Sequence, residues 1–412
     1  MTLRYGKSAD ADLTEHSGLV TTARYSNMSS RASTRQVFDR CSFILSNDNV
    51  GAEHWESLLE LYGRCFGARN AQRFEERWCW QYEDNPWRSQ REPMIQLQVQ
   101  NGKIVAHFGA FPLPMRIDGS SEIVLCGADL MVDTGFGFVA LQLLKCFVKE
   151  VPVIGSGLSP EARELFTHFG GGTVALSRDR WRYQIRRMTT LKRKIRGRFP
   201  AIANRSGIRM PINGVPQSTP APPAGLSNTT DPLAIRRIQR FESDYDALWD
   251  DACKEIRFSI DKTSTYMNWR YVDSPAAAPC RLGLYSADEN LVGIIVGGIH
   301  QHWDQSGRTI GIDGEILELI LGDVAGTIAV ELIGAAVNEL GGSRAEIIGA
   351  NGLRAKYNSV LADFGFRQLP SDRYSLSALL DSAARKSENL AQRDDWYVSA
   401  GDGDVLYATS IV

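Results

Sequence analysis

Trp55, Leu58, Leu59, Leu61 and Tyr62 fall at helical spacing and predict an amphipathic helix. A second helix carries Phe74, Trp78 and Trp80 and ends before Pro86. Met94 to Val99 alternates as a strand, Asn101-Gly102 is a strong hairpin turn, and Ile104 to Phe111 returns as its partner. Ile123 to Val132 is a third strand, and Asp133 to Gly137 is a short turn with two glycines. Phe138 to Glu150 reads as a helix burying Val139, Leu143 and Phe147. Val151 to Gly155 is a buried strand, and Pro160 to Phe169 is a helix with proline in its first turn and Gly170-Gly171-Gly172 behind it. Thr173 to Ile185 closes this half as one strand with Trp181 and Tyr183.

The same order then recurs. Tyr245 to Ala252 is helical, Thr263 to Arg270 leads into a repeated motif, and Cys280 to Tyr285 and Leu291 to Gly298 are hairpin strands around Asp288-Glu289-Asn290. Glu315 to Leu321 is a strand, Gly322 to Gly326 a turn, Thr327 to Leu340 a helix and Ala345 to Gly349 a strand. Leu353 to Phe364 is a helix, and a last strand lies near Arg373 to Leu376. The recurrence reaches residue identity. Trp80-Gln81-Tyr82-Glu83-Asp84-Asn85-Pro86 and Trp269-Arg270-Tyr271-Val272-Asp273-Ser274-Pro275 share Trp-x-Tyr-x-Asp-x-Pro. A repeat this long means two domains rather than a solenoid of short units. In each copy the proline ends a helix, the aspartate serves local N–H groups and the aromatic pair supplies buried area.

Composition adds boundaries. At 412 residues the chain is long enough for two ordinary cores, and a net charge of −2 gives no global basic field for nucleic acid. Residues 1–40 are polar and read as a flexible tail, without the apolar core of a signal peptide. The first domain spans 41–188 and the second 232–412. Residues 189–231 form a linker, basic at Lys192, Arg193, Lys194, Arg196 and Arg198 and rich in Pro, Ser and Gly afterwards. No apolar run reaches the ~18 residues of a membrane span. Seven cysteines without a Cys-x-x-Cys point to reduced thiols and a cytoplasmic address.

A strand that runs through a glycine turn into a helix N-terminus makes an anion site, because unbonded N–H groups and the helix dipole point the same way. Several segments carry a nameable resemblance: Gly102 to His107, Ala128 to Val132 leading into Gly135-Phe136-Gly137, Glu164 to Gly170, Leu361 to Phe366, and the closing Asp395 to Asp404. With these, both halves resemble the GNAT superfamily of acyl-CoA-dependent N-acyltransferases, and the chain resembles bacterial tandem GNAT proteins. The resemblance implies an α/β fold of α+β type, a mixed sheet in each of two domains. It also implies acetyl-CoA or another acyl-CoA as co-substrate, no metal, and a small amine acceptor such as an amino sugar or envelope precursor. Carried over, Leu130, Met131 and Val132 pair with the pantetheine arm. Thr134, Gly135, Phe136, Gly137, Phe138 and Val139 grip the pyrophosphate.

The turn departs from the family pattern: no Arg or Gln precedes Gly135, and Asp323 in the second-half turn would repel phosphate. Where the family often has a proton-donating Tyr, this chain has Phe166 and Leu361. The expectation is therefore a first domain that holds the donor and a second that serves as scaffold or acceptor site. Acyl transfer to an amine is helped by a general base, and Asp129, Glu122 and His107 on the central strands are the candidates. In the second half, Glu315 and Glu318 are expected on opposite strand faces, so that at most one faces a cleft. His300-Gln301-His302 is expected to be a solvated hairpin. Two other readings keep the fold. A Fem-type transferase would take aminoacyl-tRNA, the one nucleic acid admitted here, and an inactive GNAT-fold protein would bind without turnover.

Overall fold

The computed structural model describes residues 41–45, 52–67, 71, 73–150, 152–156, 158, 160–169, 172–175, 180–185, 233–276, 278–303, 309–322, 327–351, 353–369, 375–379 and 395–403. The expected tail at 1–40, the linker at 189–231 and the turn residues 323–326 lie outside them.

In the first half, β1 (Cys41–Leu45), α1 (Ala52–Phe66) and α2 (Phe74–Trp78) precede the sheet core, and α2 continues as a π-helical turn, Cys79–Glu83. Then come β2 (Met94–Gln100), β3 (Lys103–Ile117), β4 (Ser120–Val132), α3 (Gly137–Phe147), β5 (Val153–Ser156), α4 (Pro160–His168), β6 (Gly172–Ala175) and β7 (Arg180–Gln184). The second half gives β8 (Ala234–Arg237), α5 (Ser243–Ala252), β9 (Phe258–Ile260), α6 (Ser264–Tyr271), β10 (Cys280–Tyr285), β11 (Leu291–Trp303) and β12 (Thr309–Leu321). It ends with α7 (Thr327–Gly342), β13 (Ile347–Asn351), α8 (Asn358–Phe364), β14 (Arg367–Leu369), β15 (Ser375–Leu379) and β16 (Trp396–Tyr397).

The local signals place most of these elements. Asn101 and Gly102 both have positive φ, as the tight β2–β3 hairpin requires. Val139, Leu143 and Phe147 are buried on α3, and Thr263 caps α6 by accepting from the Tyr266 N–H. The strand expected over Thr173 to Ile185 is instead two strands, β6 and β7, and they join different sheets.

The first sheet runs β1-β2-β3-β4-β5-β15-β6, with β9 pairing β3 and β16 pairing β9. The second runs β14-β7-β13-β12-β11-β10-β8. Each sheet thus takes an inner strand from the other half of the chain. β7 lies antiparallel between β13 and β14, and β15 lies antiparallel between β5 and β6. Trp181 on β7 is anchored in the second core and donates from Nε1 to Asn358 at 3.0 Å.

The repeated motifs meet each other. The rings of Trp80 and Trp269 stack at 4.4 Å and 15°. Each indole N–H donates to the other's backbone carbonyl, Trp80 to Trp269 at 2.8 Å and Trp269 to Trp80 at 3.2 Å. This is a reciprocal contact of the kind made across a two-fold axis. One continuous apolar cluster runs from α1 and α2 through this pair into α5 and α6.

Candidate functional site: two gaps between parallel strands

In each half a parallel pair of strands starts together and then separates. β4 pairs with β5 only over Leu125–Gly127, and β12 pairs with β13 only over Asp313–Ile316. Beyond those points the edge of β4 or β12 has no strand partner among the described residues, which creates a gap lined by backbone amides.

The first gap begins at a bulge. His107 faces Met131 and Gly109 faces Ala128, so Asp129 and Leu130 together oppose one residue of β3. Asp129 takes φ +52 there. Its carboxylate is ion-paired at 3.1 Å with Arg77 of α2, both side chains being nearly inaccessible. Arg77 also donates to the Tyr62 hydroxyl at 3.1 Å and to Gln81 at 3.1 Å. His107 is fully buried and bonds through Nδ1 to the Asp129 carbonyl at 2.9 Å. A carbonyl only accepts, so Nδ1 carries the proton. Burial pushes His107 down to about 4, with the Asp129 carbonyl opposing and the Arg77 charge adding to the shift. Its imidazole is therefore neutral at pH 7. Asp129 and His107 come together at the bulge. Glu122 does not join them; it is exposed near the start of β4, opposite Met115.

Past the bulge, Asp133 N–H bonds to Val105 of β3 at 2.8 Å, so Leu130 and Val132 turn their backbone groups toward the gap. Leu130, Val132, Phe136 and Phe138 are only partly buried beside the core formed by α3 and the sheet, whereas Met131 is buried in the cluster that α1 and α2 form. Cys65 of α1 lies against the Val132 backbone, its thiol pushed up by burial and then by the charge of Asp133. The following turn is held by Phe136 N–H to the Asp133 carbonyl at 3.1 Å and by Arg64 to the Asp133 carboxylate at 2.9 Å. Gly135 sits at φ +94, a conformation that favours glycine. The turn delivers the chain to the N-terminus of α3, where Phe136 supplies no side-chain cap. Thr134 and Gly135 are exposed and Val139 is buried beneath them.

The second gap differs. A bulge at Leu317, between Ile316 facing Gly297 and Glu318 facing Val296, moves Glu318 onto the same sheet face as Glu315. The expectation of opposite faces fails for this reason: a period-two count does not survive an extra residue in the strand. The neighbours bear this out, since Ile316 and Leu319 both enter the core under α7 while the two carboxylates turn away from it.

Glu315 bonds to Asn351 at the end of β13. Burial pushes Glu315 up to about 8, against the opposing pulls of Asn351 and Arg182. A glutamate that titrates at its ordinary 4.5 when unfolded and near 8 when folded favours folding below pH 4.5. That contribution is lost as pH rises toward 8. Glu315→Gln is expected to leave stability nearly unchanged at pH 4.5 and to raise it at pH 8. Urea unfolding at the two pH values checks this, and an equal effect at both would refute it. On the same strand, Asp313 pairs with His302 at 2.7 Å, so His302 is a buried partner rather than a solvated residue. Among the described residues no group of three His, Cys, Asp or Glu is gathered to hold a metal ion.

Glu318 is fully buried in a cluster that the sequence did not announce. Lys262, also 0% exposed, donates to Glu318 at 2.7 Å and contacts Asp402. The hydroxyls of Tyr271, Tyr397 and Ser399 donate to Glu318 at 2.7, 2.6 and 2.6 Å, and Tyr266 donates to Asp402 at 3.1 Å. Burial first, and then the neighbouring carboxylates, hold these tyrosines well above their ordinary range, so they stay neutral donors. Lys262 and Asp402 lie 140 positions apart in the sequence and only folding joins them.

Two mixed sheets, each opening between a parallel pair of strands, define a two-sheet α/β fold. Two solved structures of one enzyme share this fold. The chain matches the N-myristoyltransferase of Saccharomyces cerevisiae with bound myristoyl-CoA at a TM-score of 0.52 and 11% identity, over 82% of each chain. A further structure of that enzyme with myristoyl-CoA gives 0.51 and 13% identity, over 83% of this chain and 79% of that one. A GCN5-related N-acetyltransferase from Kribbella flavida gives 0.46 and 14%, over 84% and 73%. No protein-family model matches the sequence, and no curated protein does. The chain therefore shares the fold of the solved N-myristoyltransferase structures. Among the described residues no helix is long and apolar enough to cross a membrane.

Proposed function

We propose that the chain is an acyl-CoA-dependent N-acyltransferase that holds the donor in the first gap and acylates a small amine in the cytoplasm. One observation carries this reading. The first gap combines the backbone edge at Leu130 and Val132, partly exposed apolar walls at Phe136 and Phe138, and the N-terminus of α3, whose N-cap residue is Phe136. The first two suit a pantetheine arm, and the last suits a pyrophosphate. The neighbour solved with myristoyl-CoA supports an acyl-CoA as the ligand class.

In the transfer, the amine nitrogen bonds to the thioester carbonyl carbon, the carbon–sulfur bond breaks, and the amine's proton ends on the departing CoA thiol. The protein's part is to pair the arm along β4, fix the pyrophosphate at α3 and hold the bulge that sets the carbonyl's position. We assign that last role to Asp129 and His107. Asp129 is tied to Arg77, and His107 is inaccessible and weakly basic, so both serve position better than proton transfer. Glu122 stands outside this reading, and the acceptor enters as its free amine.

Thermal unfolding with acetyl-CoA, longer acyl-CoAs and free CoA tests the donor. Ligand at ~100 times its Kd stabilises by about 2.7 kcal/mol, a shift of several degrees. Gly137→Asp puts a carboxylate at the start of α3, which repels phosphate, and is expected to abolish the shift. Release of free thiol with a panel of amines then reads turnover. A shift without turnover on any amine would favour a non-catalytic binding protein. No shift with any CoA species would sink the proposal.

A further inference from the structure

The second gap contains its own occupant. Among the described residues the backbone of β12 beyond Ile316 has no strand on the side away from β11; Gly322 N–H still bonds to Val292 on the β11 side at 3.2 Å, so Leu319 and Leu321 face the gap. Both are engaged by tyrosines. The Leu319 N–H donates to the Tyr397 hydroxyl at 3.4 Å, and the Tyr357 hydroxyl meets the Leu321 backbone. These are the amide contacts that a pantetheine arm would need.

Tyr397 is held there by the rest of the closing segment, residues 395–403. Trp396 and Tyr397 pair in parallel with Phe258 and Ser259, and Arg257 bonds Asp395 at 2.9 Å. Ser399 and Asp402 cap one another and lock onto Glu318 and Lys262. Arg270 donates to the carbonyls of Gly401, at 2.8 Å, and Gly403. At Gly401 a Cβ would come within 1.9 Å of the Tyr271 hydroxyl, so only glycine lets the segment lie so close. The segment then reaches the first half, with Gly403 beside the Ser156 hydroxyl at the end of β5.

We infer that the closing segment, with Tyr357, permanently occupies the donor-type slot of the second half, so that one chain takes up a single acyl-CoA, in the first gap alone. The stoichiometry rests on the proposed donor reading; the occupancy of the slot does not. The contrast between the halves carries the inference. The gap edge at Leu130 and Val132 is lined by half-buried apolar residues and met at Val132 by the small Cys65 thiol, whereas Leu319 is covered by the Tyr397 hydroxyl, anchored in a buried ionic cluster, and Leu321 by that of Tyr357.

Two measurements on the full chain test it. The first is calorimetric titration of wild type and Gly137→Asp with the acyl-CoA that gives the largest thermal shift. The second is amide hydrogen exchange of wild type and Tyr397→Phe, without ligand. Tyr397→Phe keeps the ring and the apolar packing and removes only the hydroxyl. The expected results are one equivalent bound by wild type, none by Gly137→Asp, and exchange roughly tenfold faster at Leu319 in Tyr397→Phe, with the first-gap strand unchanged. Two equivalents in wild type, or one retained in Gly137→Asp, would overturn the inference while leaving acyl-CoA binding intact. No binding by wild type would remove the donor reading, and the exchange result would still decide the occupancy. Unchanged exchange at Leu319 overturns it.

Discussion

Lys262→Met is expected to destabilise the protein by about 3–5 kcal/mol, because it leaves Glu318 and Asp402 buried without the ammonium they share. Lys262 is fully inaccessible, and its ammonium touches Glu318 at 2.7 Å, Asp402, and Ser399 at 3.4 Å. The rings of Tyr266 and Tyr397 lie 5.5 and 5.1 Å from it, within cation–π range. A buried ion pair adds little net stability over an apolar replacement, since desolvation offsets attraction, but a stranded buried charge is costly. The asymmetry makes the test specific. Lys262→Met combined with Glu318→Gln and Asp402→Asn removes the charges of all three groups, leaves Arg270 on the Gly401 and Gly403 carbonyls, and is expected to recover most of the loss. Urea unfolding of the single and triple variants reads both values. A loss below ~1 kcal/mol in the single variant would mean that the carboxylates find water. Against a total stability of ~5–15 kcal/mol, the single change takes a large share.

Cleavage of the chain within residues 189–231 is expected to leave the two pieces bound and folded. The first piece keeps β7, an inner strand of the second sheet, and the second piece keeps β15, an inner strand of the first. Separation would strip each sheet of a strand paired on both sides, leaving its neighbours with unpaired backbone groups. It would also break the Trp80–Trp269 stack and withdraw β9 from β3. A protease site engineered into this stretch, cut to completion, should give one peak on size exclusion with an unchanged circular dichroism spectrum. Two separate folded peaks would show that the exchanged strands are dispensable. Each piece expressed alone is expected to aggregate through its open sheet edges.

Much of the fold was legible locally. The Asn101-Gly102 hairpin, the apolar stripe of α3, and the order of strands and helices in both halves follow from turn chemistry and periodicity. Where the reading failed, the missing information was not local. The strand Thr173 to Ile185 looked single because its residues have one β-forming character; its division between two sheets depends on what each part can pair with. Glu315 and Glu318 looked opposed because counting by two assumes an unbulged strand. The Trp-x-Tyr-x-Asp-x-Pro repeat was visible as a repeat, but not as the place where the two copies touch.

The candidate site divides in the same way. The turn from Val132 into α3 could be picked out because a positive-φ glycine ahead of a helix has a chemical signature. Asp129 and His107 could be placed on central strands, but not recognised as a pair bound to the bulge and to Arg77, since Arg77 carries no signal that separates it from a surface arginine. Lys262 and Asp402 were invisible for the same reason. A lysine has no local mark of burial; only a fold that brings Glu318, Ser399 and two tyrosines around it makes the interior habitable for its charge. The sequence by itself therefore determined the repeat, the class of fold and the first gap's turn, all of which rest on short-range backbone preferences. The tertiary structure alone decided the exchange of β7 and β15 and the filling of the second gap, because both arise from contacts between residues far apart in the chain.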